Sequence, residues 1–241
     1  MTTRLYCDAP LAVGQTVALD ATASRHLREA LRVREGDDAV LFNGHGGEYS
    51  GKVVAVQRSG VSVQLSAYHA VDRESPLRIR LAQGISRGER MDYTIQKAVE
   101  LGVATLVPLA TERSAVRLDE TRARKREEHW RGIIRHATEQ SGRTRLPELQ
   151  PVQTLTQLLE GSLEEGRLLL DPTAELALGS LALPTALCLA IGPEGGFSPT
   201  ERMQLEAAGF RRLRLGPRIL RTETAALVAL SILQDHAGDL R

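Results

Sequence analysis

Cysteine is scarce. Cys7 and Cys188 are the only two in 241 residues, which excludes a disulfide framework and a cysteine-rich metal site. Long apolar runs are missing too, since none reaches the roughly 18 residues of a membrane helix. The first ten residues, MTTRLYCDAP, lack the apolar core of a secretory signal, so a cytoplasmic protein is expected. Six histidines offer no ligand set. His129 and His136 stand seven apart on one helical segment, with no H-x-x-x-H pair or cysteine pair nearby, and no metal is expected.

Familiar phosphate and nucleophile signatures fail as well. Gly46 to Lys52 fits G-x-x-x-x-G-K, but Val53 stands where Ser or Thr should hold magnesium. Val53 to Val56 then reads as strand rather than helix, so these glycines read as a hairpin. The α/β part has no G-x-G-x-x-G between its first strand and helix. No G-x-S-x-G elbow exists.

What is present is an ordinary globular composition, 42% hydrophobic and 25% charged. Only Lys52, Lys97 and Lys125 are lysines, against 28 arginines. Arginine's planar fork suits phosphates and base edges, although GC-rich codons produce the same bias. Residues 1–72 carry seven basic and eight acidic side chains (net −1). Residues 73–147 carry sixteen and ten (net +6), and residues 148–241 carry eight and twelve (net −4). The basic middle third favours an anionic partner.

Residues 1–72 read as a β-rich unit. Short β-prone runs occur at Arg4–Cys7, Thr16–Leu19, Ala39–Phe42, Lys52–Gln57 and Val61–Tyr68. A helix over about Thr22–Arg32 puts Leu27 and Leu31 on one face. Five such strands suggest a small barrel. Residues 70–76, AVDRESP, are polar and end in Pro76. The domains are therefore drawn as 1–72, a linker at 73–76, and 77–241.

From Leu77 strands alternate with helices. Strands are expected at Leu77–Ala82, Val103–Leu109, Arg167–Leu170, Ala186–Ile191 and Arg212–Leu215. Helices are expected at about Glu89–Leu101, Asp119–Gln140, from Pro199 onward and at Thr222–His236. This rhythm means an α/β layer with a largely parallel sheet. Ser198-Pro199-Thr200-Glu201 is a capping box with proline at the first helical position.

Two segments concentrate the chemistry. Ile191-Gly192-Pro193-Glu194-Gly195-Gly196-Phe197-Ser198 follows an apolar strand and enters the capped helix. Leu215-Gly216-Pro217-Arg218-Ile219-Leu220-Arg221-Thr222-Glu223-Thr224-Ala225 again links strand to helix. Loops at the carboxyl ends of such strands are where ligands bind. The competing reading is two plain β–α turns. Arg218, Arg221 and Glu223, crowded beside glycine and apolar residues, weigh against it.

At these residues the sequence resembles the SPOUT methyltransferases, and within them the ribosomal RNA small subunit methyltransferase E family. Further matching segments are Arg4-Leu5-Tyr6, His26-Leu27 with Arg32, Gln96 to Val103, Glu112-Arg113-Ser114 and Glu139-Gln140-Ser141-Gly142-Arg143. Residues 148–185 match that pattern poorly, which leaves the connection there open. The resemblance implies a PUA-like N-terminal β-barrel that binds RNA, followed by a trefoil-knotted α/β domain. It implies S-adenosyl-L-methionine as methyl donor, a 16S rRNA or small-subunit substrate, no membrane partner, and a homodimer through the C-terminal domain. Carried over by position, the cofactor pocket is lined by Leu170, Gly192, Gly195, Leu215, Gly216, Ile219, Leu220 and Thr224.

The implied activity is methylation of N3 of a uridine. That nitrogen must lose a proton, and Glu223 is the expected acceptor, directly or through water. Arg221 is expected to stabilise charge on the uracil oxygens. Arg4, Arg28 and Arg32 are expected on RNA phosphates. Gly192 and Gly195 are expected to let the cofactor approach the backbone. Two rivals remain open: a SPOUT methyltransferase acting on another rRNA or tRNA base, and a non-catalytic RNA-binding or ribosome-assembly protein.

Overall fold

The computed structural model describes residues 3–114, 119–177 and 182–240. They form two compact units, one of residues 1–74 with 138–146, the other of residues 75–137 with 147–241. The expectation drew the chain as consecutive domains. Here a segment from the middle of the chain clusters with the first unit.

The first unit holds β1 (Thr3–Tyr6), β2 (Thr16–Ala18), α1 (Ala21–His26), β3 (Asp38–Phe42), β4 (Glu48–Gln57) and β5 (Gly60–His69). Its sheet has the order β1-β3-β4-β5-β2. β1 runs parallel to β3 and the remaining pairs are antiparallel. Side chains alternate across a strand, so Val61, Val63 and Leu65 of β5 all enter one core with Leu5, Val17, Leu41 and Val53. The Gly46–Lys52 segment belongs to the β3–β4 hairpin, where Leu41 pairs with Tyr49 and Asp38 with Lys52.

The expected helix over Thr22–Arg32 differs. After α1 the chain widens into a π turn at Leu27–Leu31 and ends at Arg32, whose φ of 51° is left-handed. The wider turn rotates later residues off the inner face. Leu27 is fully buried, whereas Leu31 is 47% exposed.

The second unit holds β6 (Arg78–Gly84), α2 (Glu89–Glu100), β7 (Thr105–Ala110), most of α3 (Glu120–Ser141), β8 (Glu148–Leu149), β9 (Gln153–Thr154) and α4 (Leu155–Glu160). It continues with β10 (Gly166–Leu170), β11 (Ala186–Ile191), α5 (Pro199–Ala207), β12 (Arg211–Leu213) and α6 (Thr222–Ala237). The sheet order is β12-β10-β11-β6-β7-β8, with β9 also on β7. Every pairing among the described strands is parallel.

A parallel sheet is covered on both faces, and β11 displays this residue by residue. Leu187, Leu189 and Ile191 enter a core with Ile95 of α2, Trp130 of α3 and Leu230 of α6. Cys188 and Ala190 enter another with Leu158 of α4 and Leu205 of α5. Burying one such leucine is worth about 2 kcal/mol. Residues 148–160, where no elements were expected, hold β8, β9 and α4. Thr154 and Gln157 form a capping box at the start of α4, a signal present in the sequence.

Candidate functional site

Connections leaving the carboxyl ends of β10, β11 and β12 converge on a cavity of about 500 Å³. Its volume falls within the range of small-molecule sites, and its position is where open parallel sheets bind ligands. β10 contributes Leu170 and the following Asp171, Pro172 and Thr173. The β11–α5 loop contributes Gly192 to Phe197. The β12–α6 loop contributes Leu215 and Arg218 to Arg221, and α6 contributes Thr222 and Ala225. Arg90 of α2, Arg113 and Arg202 complete the polar part of the wall.

The β11–α5 loop is held by its own packing. Ser198 Oγ accepts from the Glu201 N–H at 3.1 Å, and Glu201 Oε2 accepts from the Ser198 N–H at 2.8 Å. The other oxygen of this buried carboxylate accepts from the Glu112 N–H at 2.9 Å, which ties the segment carrying Arg113 to the start of α5. Arg113 Nη1 in turn donates to the Gly195 carbonyl at 3.1 Å.

The packing around these glycines sets a demand of its own. A Cβ on Gly192 would lie 2.8 Å from the Gly196 carbonyl carbon and from Phe197 N. The loop's own backbone therefore demands glycine at 192. A Cβ on Gly195 would lie 3.1 Å from Arg113 Cβ, so that position answers to a neighbouring side chain.

Charges around the cavity are sorted by their partners. Asp171 is buried. Burial pushes its carboxyl up, but bonds from the Thr173 N–H and hydroxyl, with Arg212 and Arg202, outweigh this and hold it below the usual carboxylate range. Glu194 follows the same rule. Burial raises it, yet the Arg87 N–H at 3.0 Å and Arg90 Nη1 at 3.2 Å leave it lowered. Glu223, in the first turn of α6, has Oε1 3.8 Å from Arg90 Nε, while its Oε2 is buried with no hydrogen-bond partner among the described residues. Arg218 and Arg221 are exposed, with no ion pair to a described carboxylate. Cys188 is no nucleophile, because burial pushes its thiol up to about 12.

A model of the RNA methyltransferase domain matches residues 73–234. The chain belongs to the RNA methyltransferase family. A model of the RNA methyltransferase PUA domain matches residues 19–66, in agreement with the expected PUA-like unit. The chain is 31% identical to ribosomal RNA small subunit methyltransferase E of Buchnera aphidicola, over 98% of this chain and 97% of that one. It is 32% identical to the protein of the same name from Bacillus subtilis, over 94% and 92%. Two solved structures align over 100% of both chains. One is a methyltransferase from Legionella pneumophila in complex with the bound cofactor SAM, at 41% identity and a TM-score of 0.97. The other is ribosomal RNA small subunit methyltransferase E from Neisseria gonorrhoeae bound to S-adenosyl methionine, at 38% and 0.93.

In this RNA methyltransferase the cavity brings together Leu170, Gly192, Gly195, Leu215, Ile219, Leu220 and Arg221 of the expected site. Three expected residues lie outside its wall. Successive helical residues turn by about 100°, so Thr222 and Ala225 face the cavity whereas Glu223 and Thr224 do not. Gly216 sits exposed in the loop with φ 68°. Arg90, Arg113, Asp171, Arg202, Phe197 and Thr222 were not foreseen. Asp171 and Phe197 had a signal, since both follow closely on a strand's carboxyl end.

Within the first unit Arg4, expected on an RNA phosphate, has several partners in the protein itself. Its guanidinium lies 4.1 Å from the centre of the Phe42 ring and pairs with Glu48 at 3.0 Å. It also donates to the carbonyls of Thr138 at 3.2 Å and Arg143 at 2.8 Å. Those carbonyls stand at and beyond the C-terminus of α3, where a cation is favoured. Burial leaves the pKa of Arg4 lowered. Arg28 is half-buried and donates to the Ser24, Gln57 and Arg58 carbonyls, whereas Arg32 is exposed.

Proposed function

We propose that this chain methylates N3 of a specific uridine in 16S ribosomal RNA, with S-adenosyl-L-methionine as methyl donor. The observation that carries the reading is the cavity at the carboxyl ends of β10, β11 and β12. Its walls fit that donor. Leu170, Leu215, Ile219 and Leu220 supply apolar surface, and the turns at Gly192 and Gly195 bring backbone to the cavity wall where an adenine edge can meet it. The two solved relatives that hold this molecule lend support.

Bound in the cavity, the donor supplies an electrophilic methyl group on a sulfonium. The protein's own residues divide the remaining work. Asp171 and Glu194 hold arginines at 3.0–3.4 Å, whereas Glu223 stands 3.8 Å from Arg90 and keeps Oε2 without a partner among the described residues, so Glu223 is the group assigned to accept the N3 proton, directly or through water. A positioned base contributes about 10²–10⁴-fold. Arg221, with no carboxylate partner among the described residues, stabilises negative charge on the uracil oxygens. Arg28 and Arg32 contact RNA phosphates, and Arg32 is the better placed because its side chain is exposed.

The proposed domains are a PUA-like unit at 1–72, a linker at 73–76 and a trefoil-knotted SPOUT domain at 77–241, of which residues 138–146 cluster with the first unit. The protein acts as a cytoplasmic homodimer through its C-terminal domain. In α6, Leu227, Val228 and Ile232 are only half-buried, and no described helix is long and apolar enough to cross a membrane. Mass analysis of 16S rRNA before and after incubation with protein and donor tests the activity. One added methyl on a uridine, blocking its pairing edge, is the expected result. A methyl on another base or on tRNA redirects the specificity, and no methyl on any RNA overturns the reading.

A further inference from the structure

Gln83 is the penultimate residue of β6 and is only 1% exposed. Its Nε2 donates to the Gly84 carbonyl at 3.0 Å and to Thr222 Oγ1 at 2.9 Å. Thr222 Oγ1 donates to the Gly192 carbonyl at 2.6 Å. A carbonyl only accepts, so the single hydroxyl proton of Thr222 is committed to Gly192. The hydroxyl must then receive its other bond from Gln83, which fixes the amide with Nε2 inward. Oε1 is left buried without a partner among the described residues. A native interior rarely tolerates such an orphan acceptor unless something else is gained.

What is gained is a clasp. It joins β6, the loop after β11 and the first turn of α6, three segments remote in sequence. The next residue of β6 is equally tight, since a Cβ on Gly84 would lie 2.4 Å from Pro193 Cδ. Thr222 and Gly192 line the cavity and Gln83 does not. α6 begins without help from its own cap, because Arg221 makes no side-chain capping bond.

We infer that the Gln83–Thr222 pair is a positioning device that holds the β11–α5 loop and the start of α6 at the spacing the methyl donor requires. Gln83 acts through Thr222 and touches no ligand. This rests on the reading of the cavity as the S-adenosylmethionine site.

The test titrates S-adenosylmethionine calorimetrically into the purified full chain and records Tm in parallel. Thr222→Val removes both bonds while keeping the shape, and Gln83→Met removes the outer one. Each should weaken binding about tenfold, the scale of one buried hydrogen bond. Thr222→Ser keeps the hydroxyl and should stay within about twofold of wild type. The double variant Gln83→Met, Thr222→Val should be no weaker than Thr222→Val alone, as expected for one coupled unit.

Leu220→Asp, a charge in the apolar wall, is the control for the site itself. Lowered Tm with wild-type affinity in Thr222→Val, while Leu220→Asp loses binding, overturns the clasp and spares the site. Wild-type affinity in Leu220→Asp removes the site and the inference together. Should Thr222→Val not fold, Gln83→Met decides alone. If neither folds, the pair is a folding determinant and the inference fails.

Discussion

The β11–α5 and β12–α6 loops occupy equivalent places, each leaving a strand's carboxyl end for a helix, yet they are built oppositely. The first closes on itself. Gly192 is packed against its own loop backbone, Phe197 is 5% exposed, and Ser198 with Glu201 caps the next helix. The second stays open, with Ile219 86% exposed, Arg218 and Arg221 at the surface, and no side-chain cap on α6. One wall of the cavity is thus shaped before any ligand arrives. The other presents apolar and cationic groups to whatever comes next.

The largest expected effect breaks the closed loop. Gly192→Val forces a side chain into backbone at 2.8 Å. We expect a lowered Tm and S-adenosylmethionine binding weakened more than 100-fold, about 2.7 kcal/mol or more, by thermal denaturation and calorimetry. Wild-type affinity would show that the loop's shape is irrelevant to the cavity.

Next comes Glu223, at the start of the helix that the open loop feeds. Glu223→Gln keeps the volume and removes the proton acceptor. Single-turnover methylation should slow about 10²–10⁴-fold, with donor affinity unchanged. An unaltered rate would assign proton removal to solvent or to another group.

A smaller effect concerns the strut beneath both loops. Asp171 is held below its unfolded pKa of about 3.9. Between the folded and unfolded values the unfolded chain binds more protons, so stability rises with pH there. The contribution is present above about pH 4 and is lost as pH falls through the lower, folded value. Asp171→Asn should lower stability at pH 7 by about 1–2 kcal/mol, discounted because Arg202 and Arg212 are each about a third exposed. It should also flatten the acid limb of Tm against pH.

The smallest structural effect belongs to the open loop itself. Arg218→Ala should leave the unfolding free energy within about 0.5 kcal/mol of wild type. If Arg218 meets a phosphate, RNA affinity falls and the salt slope drops by about one. An unchanged slope would assign the loop to another contact.

Much of this architecture was legible along the chain. The alternation of Val61, Val63 and Leu65, the Ser198–Glu201 box and the strand–loop–helix rhythm each report neighbours within four residues. Two signals misled or were overlooked. Leu27 and Leu31 share a face only if the helix keeps its 3.6-residue turn, and it widens instead. Thr154 and Gln157 form a capping box that the sequence itself carries, and it lies in residues 148–185, which match the family pattern poorly.

Local sequence by itself determined most of the elements, the two loops that line the cavity and, through those two C-terminal segments, the family. Tertiary structure alone decided which polar groups are spoken for. Arg4 reads along the chain only as a basic residue, and folding gives it Glu48, 44 residues away, and the Thr138 carbonyl, 134 away. Gln83 looks like one polar residue near a strand end until Thr222, 139 residues on, meets its amide. The physical reason is one of range. Backbone periodicity is set by adjacent residues and leaves a trace in spacing. A buried hydrogen bond depends on which distant segments packing brings within about 3 Å, and spacing carries no record of that.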